Sequence, residues 1–142
     1  MKKTLITTAL LPLLSFAGEY ETTIGLGHQY GGIIGAQLGY KTTSTKYYAS
    51  IGAVGFALGA QTTFGDEKNK HAYGFVAGKE SIQAEDGFLF VTYDYHFNGF
   101  ENNGLVIGTG FGFTRADEYH WFADRGEIKT TPFITLNLGY KF

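Results

Sequence analysis

Eight times along the chain, large apolar side chains recur at every second position while glycine or polar residues fill the positions between. Period-2 patterning marks a β-strand with two chemically different faces, and a helix cannot satisfy it. The segments fall near 19–28, 32–41, 46–54, 56–65, 71–80, 87–97, 104–115 and 130–142. Each is roughly ten residues, the length a tilted strand needs to cross a hydrocarbon layer. Gly, Asn and Asp cluster in the connections "QYGG", "TTST", Val54-Gly55, "DEKNK", "SIQAEDG" and "NGFENN", where chain reversals need them. Only "ADEYHWFADRGEIK" is long. The pattern predicts an all-β fold, an eight-stranded antiparallel up-and-down barrel, with no second domain.

The sorting of residue sizes decides what surrounds such a barrel. In 104–115, Leu105, Ile107, Thr109, Phe111 and Phe113 oppose Val106, Gly108, Gly110, Gly112 and Thr114. In 32–41, Ile34, Ala36, Leu38 and Tyr40 oppose Gly35, Gln37, Gly39 and Lys41. A soluble barrel keeps its large apolar residues inside and its charges outside. Here charges fall in turns or on the small face, so the large face is expected to meet lipid. The 21 glycines suit the inward positions of a narrow barrel, where space is short.

The first residues read as an export signal. "MKKTLITTALLPLLSFAGEY" has a charged start, a short apolar run interrupted by Pro12, and a small-residue site ending at Ala17. Residues 1–17 are expected to be cleaved, leaving 18–142 as the barrel. The absence of cysteine excludes disulfides, thiol chemistry and cysteine metal sites. The net charge of −2 becomes more acidic once Lys2 and Lys3 are lost, which leaves no electrostatic footprint for nucleic acid.

Strand parity adds a second regularity. If strands run alternately up and down, Tyr20, Tyr40, Tyr47, Phe64, Tyr73, Tyr95 and Phe97 cluster at one end of the outward faces, with Tyr140 and Phe142. Amphipathic rings collected at one level form an aromatic girdle at a membrane–water interface. Together with the leader and the ending "GYKF", these features resemble small outer-membrane barrels of the OmpA and OmpX type. The resemblance is one of architecture and covers the whole of 18–142. It implies a monomer in the Gram-negative cell outer membrane, both termini periplasmic, surrounded by outer-membrane lipid and lipopolysaccharide. It also implies transit on periplasmic chaperones and recognition of Leu138, Tyr140 and Phe142 by the barrel-assembly machinery. Members usually carry long extracellular loops, whereas here the first two outer connections are tight.

Candidate chemistry is sparse. Ser44, Ser50 and Ser81 show no spacing to His28 or His120 that defines a hydrolase motif. The four histidines lack paired ligand spacing, and no metal or cofactor is expected. Inward Glu21, Lys41, Asp94, His96 and Lys141 are expected to form a polar cluster at the periplasmic end, with Asp94 and His96 hydrogen-bonded. Ile33, Phe88, Phe90 and Phe133 are expected inside the opposite end, which argues against a wide pore. Trp121, beside Phe122 in the long loop, is the candidate for extracellular contact. The expected function is that of a non-enzymatic outer-membrane barrel with a structural or surface-interaction role. A lipid A-modifying enzyme and a narrow conduit for small solutes remain as alternatives, the first favoured by a serine–histidine contact at the outer rim.

Overall fold

The structure, a computed structural model, describes residues 18–64, 69–117 and 128–142. Eight antiparallel strands close into one barrel in sequence order: β1 (Glu19–Gly27), β2 (Gly32–Lys41), β3 (Thr45–Gly52), β4 (Gly55–Thr63), β5 (His71–Glu80), β6 (Ala84–His96), β7 (Gly104–Asp117) and β8 (Ile128–Lys141). All eight predicted segments are strands. The predicted leader 1–17 lies outside the described residues, as do Trp121 and Phe122.

The register fixes the shape. Thr22 pairs with Leu38, Leu38 with Ala49, Ala49 with Leu58, and Leu58 with Ala77. Ala77 then pairs with Leu89, Leu89 with Phe113, and Phe113 with Pro132. The β8–β1 register sets Pro132 level with position 32, so one circuit climbs ten residues from Thr22. Ten residues of shear over eight strands tilt the strands by about 40° and leave an interior that side chains can fill. Every residue on that path is exposed, because an even shear keeps each face continuous around the barrel.

Two connections fold inward instead of outward. After Gly27 the chain drops into the barrel as a 3-10 turn, His28–Tyr30, which buries Gln29 and Tyr30. Gly27 and Gly31 both have positive φ, and a Cβ on Gly27 would collide with Asn137 and the Leu136 carbonyl. At the opposite end, the turn between β6 and β7 tucks Phe100 under the barrel floor. The end holding Phe100 is called lower below, and the end holding His28 upper.

The inward dive also displaces β2. Leu26 pairs with Ile34 and Gly27 with Gly32, so Ile33 is an extra, bulged residue. It points outward and is exposed, contrary to the expectation that it lines the interior. A bulge inverts local parity, and alternation alone cannot reveal one.

The upper hairpins are longer than predicted. β6 begins at Ala84 because the Glu80 carboxylate accepts hydrogen bonds from the backbone N–H groups of Ile82 and Gln83, closing a tight turn. β7 and β8 pair up to Asp117 and Ile128, which shortens the predicted long loop from both sides.

The closing seam is uneven. β7 and β8 share fourteen register pairs, whereas β8 and β1 share four, from Thr23↔Lys141 to Leu26↔Leu138. Above Leu138, the β1-facing edge of β8 has no ladder partner among the described residues, because the chain has already left β1.

Candidate functional site: the polar lumen and its upper rim

Alternation sends charged residues inward, and the structure gathers them into layers. At the lower end Glu21 is surrounded by three ammonium groups: Lys46 at 3.0 Å, Lys41 at 3.3 Å and Lys141 at 3.8 Å. Lys141 is 1% exposed and Lys46 2%. Such burial is tolerable only with dense pairing. Lys46 also donates to Gln37 Oε1, at 3.1 Å. Lys141 donates to the carbonyls of Gly99 and Phe100, and Lys41 to that of Glu101. The lysines thus pin the Phe100 turn across the lower mouth, and both Lys41 and Lys141 lie near the Phe100 ring face.

Of the predicted cluster, Glu21, Lys41 and Lys141 meet. Asp94 and His96 do not hydrogen-bond to each other. Asp94 accepts from Gln61 Nε2 at 2.6 Å, while neither ring nitrogen of His96 has a hydrogen-bond partner among the described residues, and the ring packs edge-on against Phe100. The two residues share a strand face but lie on successive inward positions, where different neighbours claim them. Lys46 completes the cluster and was legible only as the first residue of an inward set.

The middle of the lumen is filled by Tyr30, which fits against Gly25 and Gly139. Ser50 donates to the Gln29 carbonyl at 2.8 Å and so anchors the inward turn. Above it, Phe88, Phe90 and Val76 pack with Tyr48, Ala57 and Ala84 into an apolar plug joined by half-buried Phe133.

His28 sits at the upper end of this plug. Its ring contacts Phe88, Phe90 and Phe133 at 5.3 Å each. Nδ1 lies 3.0 Å from Thr135 Oγ1, and Nε2 lies 3.8 Å from Glu80 Oε1. Burial lowers its pKa below the ordinary histidine value, against the opposing charge of Glu80. Ser81, a sequence candidate, instead donates to the Val54 carbonyl. Sequence spacing gave no sign of the Thr135–His28–Glu80 contact, whose members lie on β8, the inward turn and the end of β5.

On the outside, the predicted aromatics collect at the lower end. Tyr20 meets Tyr40 at 5.5 Å and Phe64 meets Tyr73 at 5.2 Å across neighbouring strands, while Tyr95 meets Phe97 at 5.1 Å along one. Tyr47 is exposed beside them, and Tyr140 meets Phe142 at 5.2 Å on the same outer face as Leu138. Above this belt the outer surface is apolar: Leu136 is 76% exposed, Ile51 73% and Val91 68%, with exposed Phe56, Phe75, Phe111 and Phe113 among them.

No family model matches this chain, and no curated protein or solved structure shows significant similarity to it.

Proposed function

We propose that this protein is an integral β-barrel of the Gram-negative outer membrane, monomeric, with a structural or surface-interaction role and no wide pore. One observation carries the reading: the molecule is inside-out. Glu21, Lys41, Lys46, Asp94 and Lys141 are buried in the lumen, while Leu38, Leu58, Val91, Ile107 and Leu136 are exposed around the wall. Water-soluble monomers rarely expose a continuous apolar band of this extent. A closed barrel in lipid pairs its backbone between neighbouring strands and reverses the usual burial.

The belt of outward aromatics supports an interfacial position for the lower end, facing the periplasm. The leader-like residues 1–17 and the alternating β8 support export and assembly by the outer-membrane machinery. Tyr30, Phe90 and Phe100 are each at most 1% exposed inside the barrel, which supports a plugged rather than conducting barrel. The surrounding partners are then outer-membrane lipid and lipopolysaccharide. The test is electrophoretic migration of detergent-refolded protein with and without boiling. A folded barrel migrates differently before boiling; identical migration, with loss of β-sheet circular dichroism in detergent, contradicts the proposal.

A further inference from the structure

We propose that Thr135, His28 and Glu80 form an acyl-transfer site that hydrolyses carboxylic esters of membrane amphiphiles entering through the seam between β1 and β8. The entry route rests on the membrane-spanning reading; the chemistry does not.

The geometry supplies each role. Thr135 Oγ1 is within hydrogen-bond reach of His28 Nδ1, at 3.0 Å. His28 Nε2 has no hydrogen-bond partner among the described residues and faces Glu80 Oε1 at 3.8 Å. A proton on Nε2, turned toward the carboxylate, leaves the Nδ1 lone pair free to accept the threonine hydroxyl proton. Glu80 is fixed by the N–H groups of Ile82 and Gln83, at 2.9 and 2.6 Å, so its orientation does not depend on histidine. Three phenylalanine rings hold the imidazole in place, and burial keeps it neutral, the form a general base requires.

Asn137 stands two residues along the same inward face of β8, outside the lining of the cavity that Thr135 and His28 share. Asn137 is buried, and its Oδ1 accepts from Gln29 N–H at 3.2 Å, which leaves Nδ2 without a hydrogen-bond partner among the described residues.

Access comes from the uneven seam. A cavity of about 420 Å³ opens there, lined by His28, Glu80 and Thr135 together with outward Ile33, Ile134 and Leu136. Its apolar side is continuous with the outer wall and its polar side is the Thr–His–Glu set. That gradient fits a molecule with an acyl chain and an ester. In the reaction, Thr135 Oγ1 bonds to the ester carbonyl carbon as its proton passes to His28 Nδ1. The carbon–oxygen bond to the alcohol then breaks, and His28 returns the proton to the departing oxygen. Water, deprotonated by the same nitrogen, cleaves the acyl-threonine to release the acid and restore the hydroxyl.

The test uses protein refolded in detergent micelles, with p-nitrophenyl esters of short and long acids and a fluorophosphonate probe mapped by mass spectrometry. A probe adduct on Thr135 is expected. Ester turnover should fall by at least about 100-fold in Thr135→Val and His28→Gln, the range a nucleophile and general base contribute, and persist in Thr135→Ser. Glu80 acts through His28 as a positioning residue, so Glu80→Gln should lower kcat with KM unchanged. Unboiled migration verifies that each variant is folded. Folded wild-type protein giving neither adduct nor turnover above empty micelles would overturn the proposal, as would Thr135→Val turning over at the wild-type rate. Failure of the protein to enter vesicles would instead overturn the membrane reading and leave the micelle result standing.

Discussion

Lys46 Nζ lies 3.0 Å from Glu21 Oε1, and both side chains are almost wholly shielded from solvent. The same carboxylate faces Lys41 and Lys141, so one anion holds three buried cations in register across β1, β2, β3 and β8. Removing it leaves those cations with no ion-pair partner among the described residues. Glu21→Ala should destabilise the folded barrel by roughly 3–5 kcal/mol, as for other broken buried pairs. Urea unfolding in micelles measures it, and a loss below about 1 kcal/mol, the worth of an exposed pair, would mean that the network is solvated.

Tyr30 occupies the space that Gly25 and Gly139 leave open, and a Cβ at either glycine would overlap its ring. Gly139→Ala should cost about 1–3 kcal/mol through overpacking. In a Tyr30→Ala background most of that cost should vanish, because the obstructing ring is gone. A double-mutant cycle reads the coupling directly. Equal costs in the two backgrounds would show that the inward turn does not pack as described.

The strand pattern was legible because alternation is local: each strand carries its own record of which face is large and which is small. The aromatic belt was legible for the same reason, once strand directions were alternated. The fate of the turns was not. "QYGG" reads as an exposed reversal, yet Tyr30 plugs the lumen, and Phe100 in "NGFENN" closes the floor. Both depend on space provided by distant glycines and lysines, which no short window contains. Ile33 departs from alternation because its bulge follows from the inward dive, and Asp94 meets Gln61 in place of His96 because a strand two positions away around the barrel brings that amide to it. The Thr135–His28 contact joins residues 107 positions apart and left no trace in spacing.

Burial holds His28 neutral in the fold more strongly than Glu80 draws it toward the charged form. The unfolded ring keeps a pKa of about 6.5. Below that pH the unfolded chain takes up a proton that the folded chain resists, so stability declines. The contribution is fully present above about pH 6.5 and is lost as pH falls through and below it. Unfolding midpoints of wild type and His28→Gln should therefore differ by a constant amount near neutrality and converge or cross in acid. A difference independent of pH would contradict this.

Arginine on the outer wall tests depth. Leu58→Arg and Val91→Arg should each cost roughly 2–4 kcal/mol for folding into vesicles, as charges near a bilayer midplane do. Arginine at Ile82, exposed in the upper turn, should cost about 1 kcal/mol or less by the same depth rule. Tolerance at Leu58 and Val91 would place those side chains in water.

The inside-out assignment is most directly tested by site-directed spin labelling, which the absence of native cysteine makes clean. Single cysteines at Leu58, Val91 and Ile107 carry nitroxides in vesicle-reconstituted protein, with Ile82 as the aqueous reference. The account predicts high collision rates with oxygen and low rates with a water-soluble nickel chelate at the three wall positions, and the reverse at Ile82. Nickel accessibility at Leu58, Val91 and Ile107 equal to that at Ile82 would contradict it.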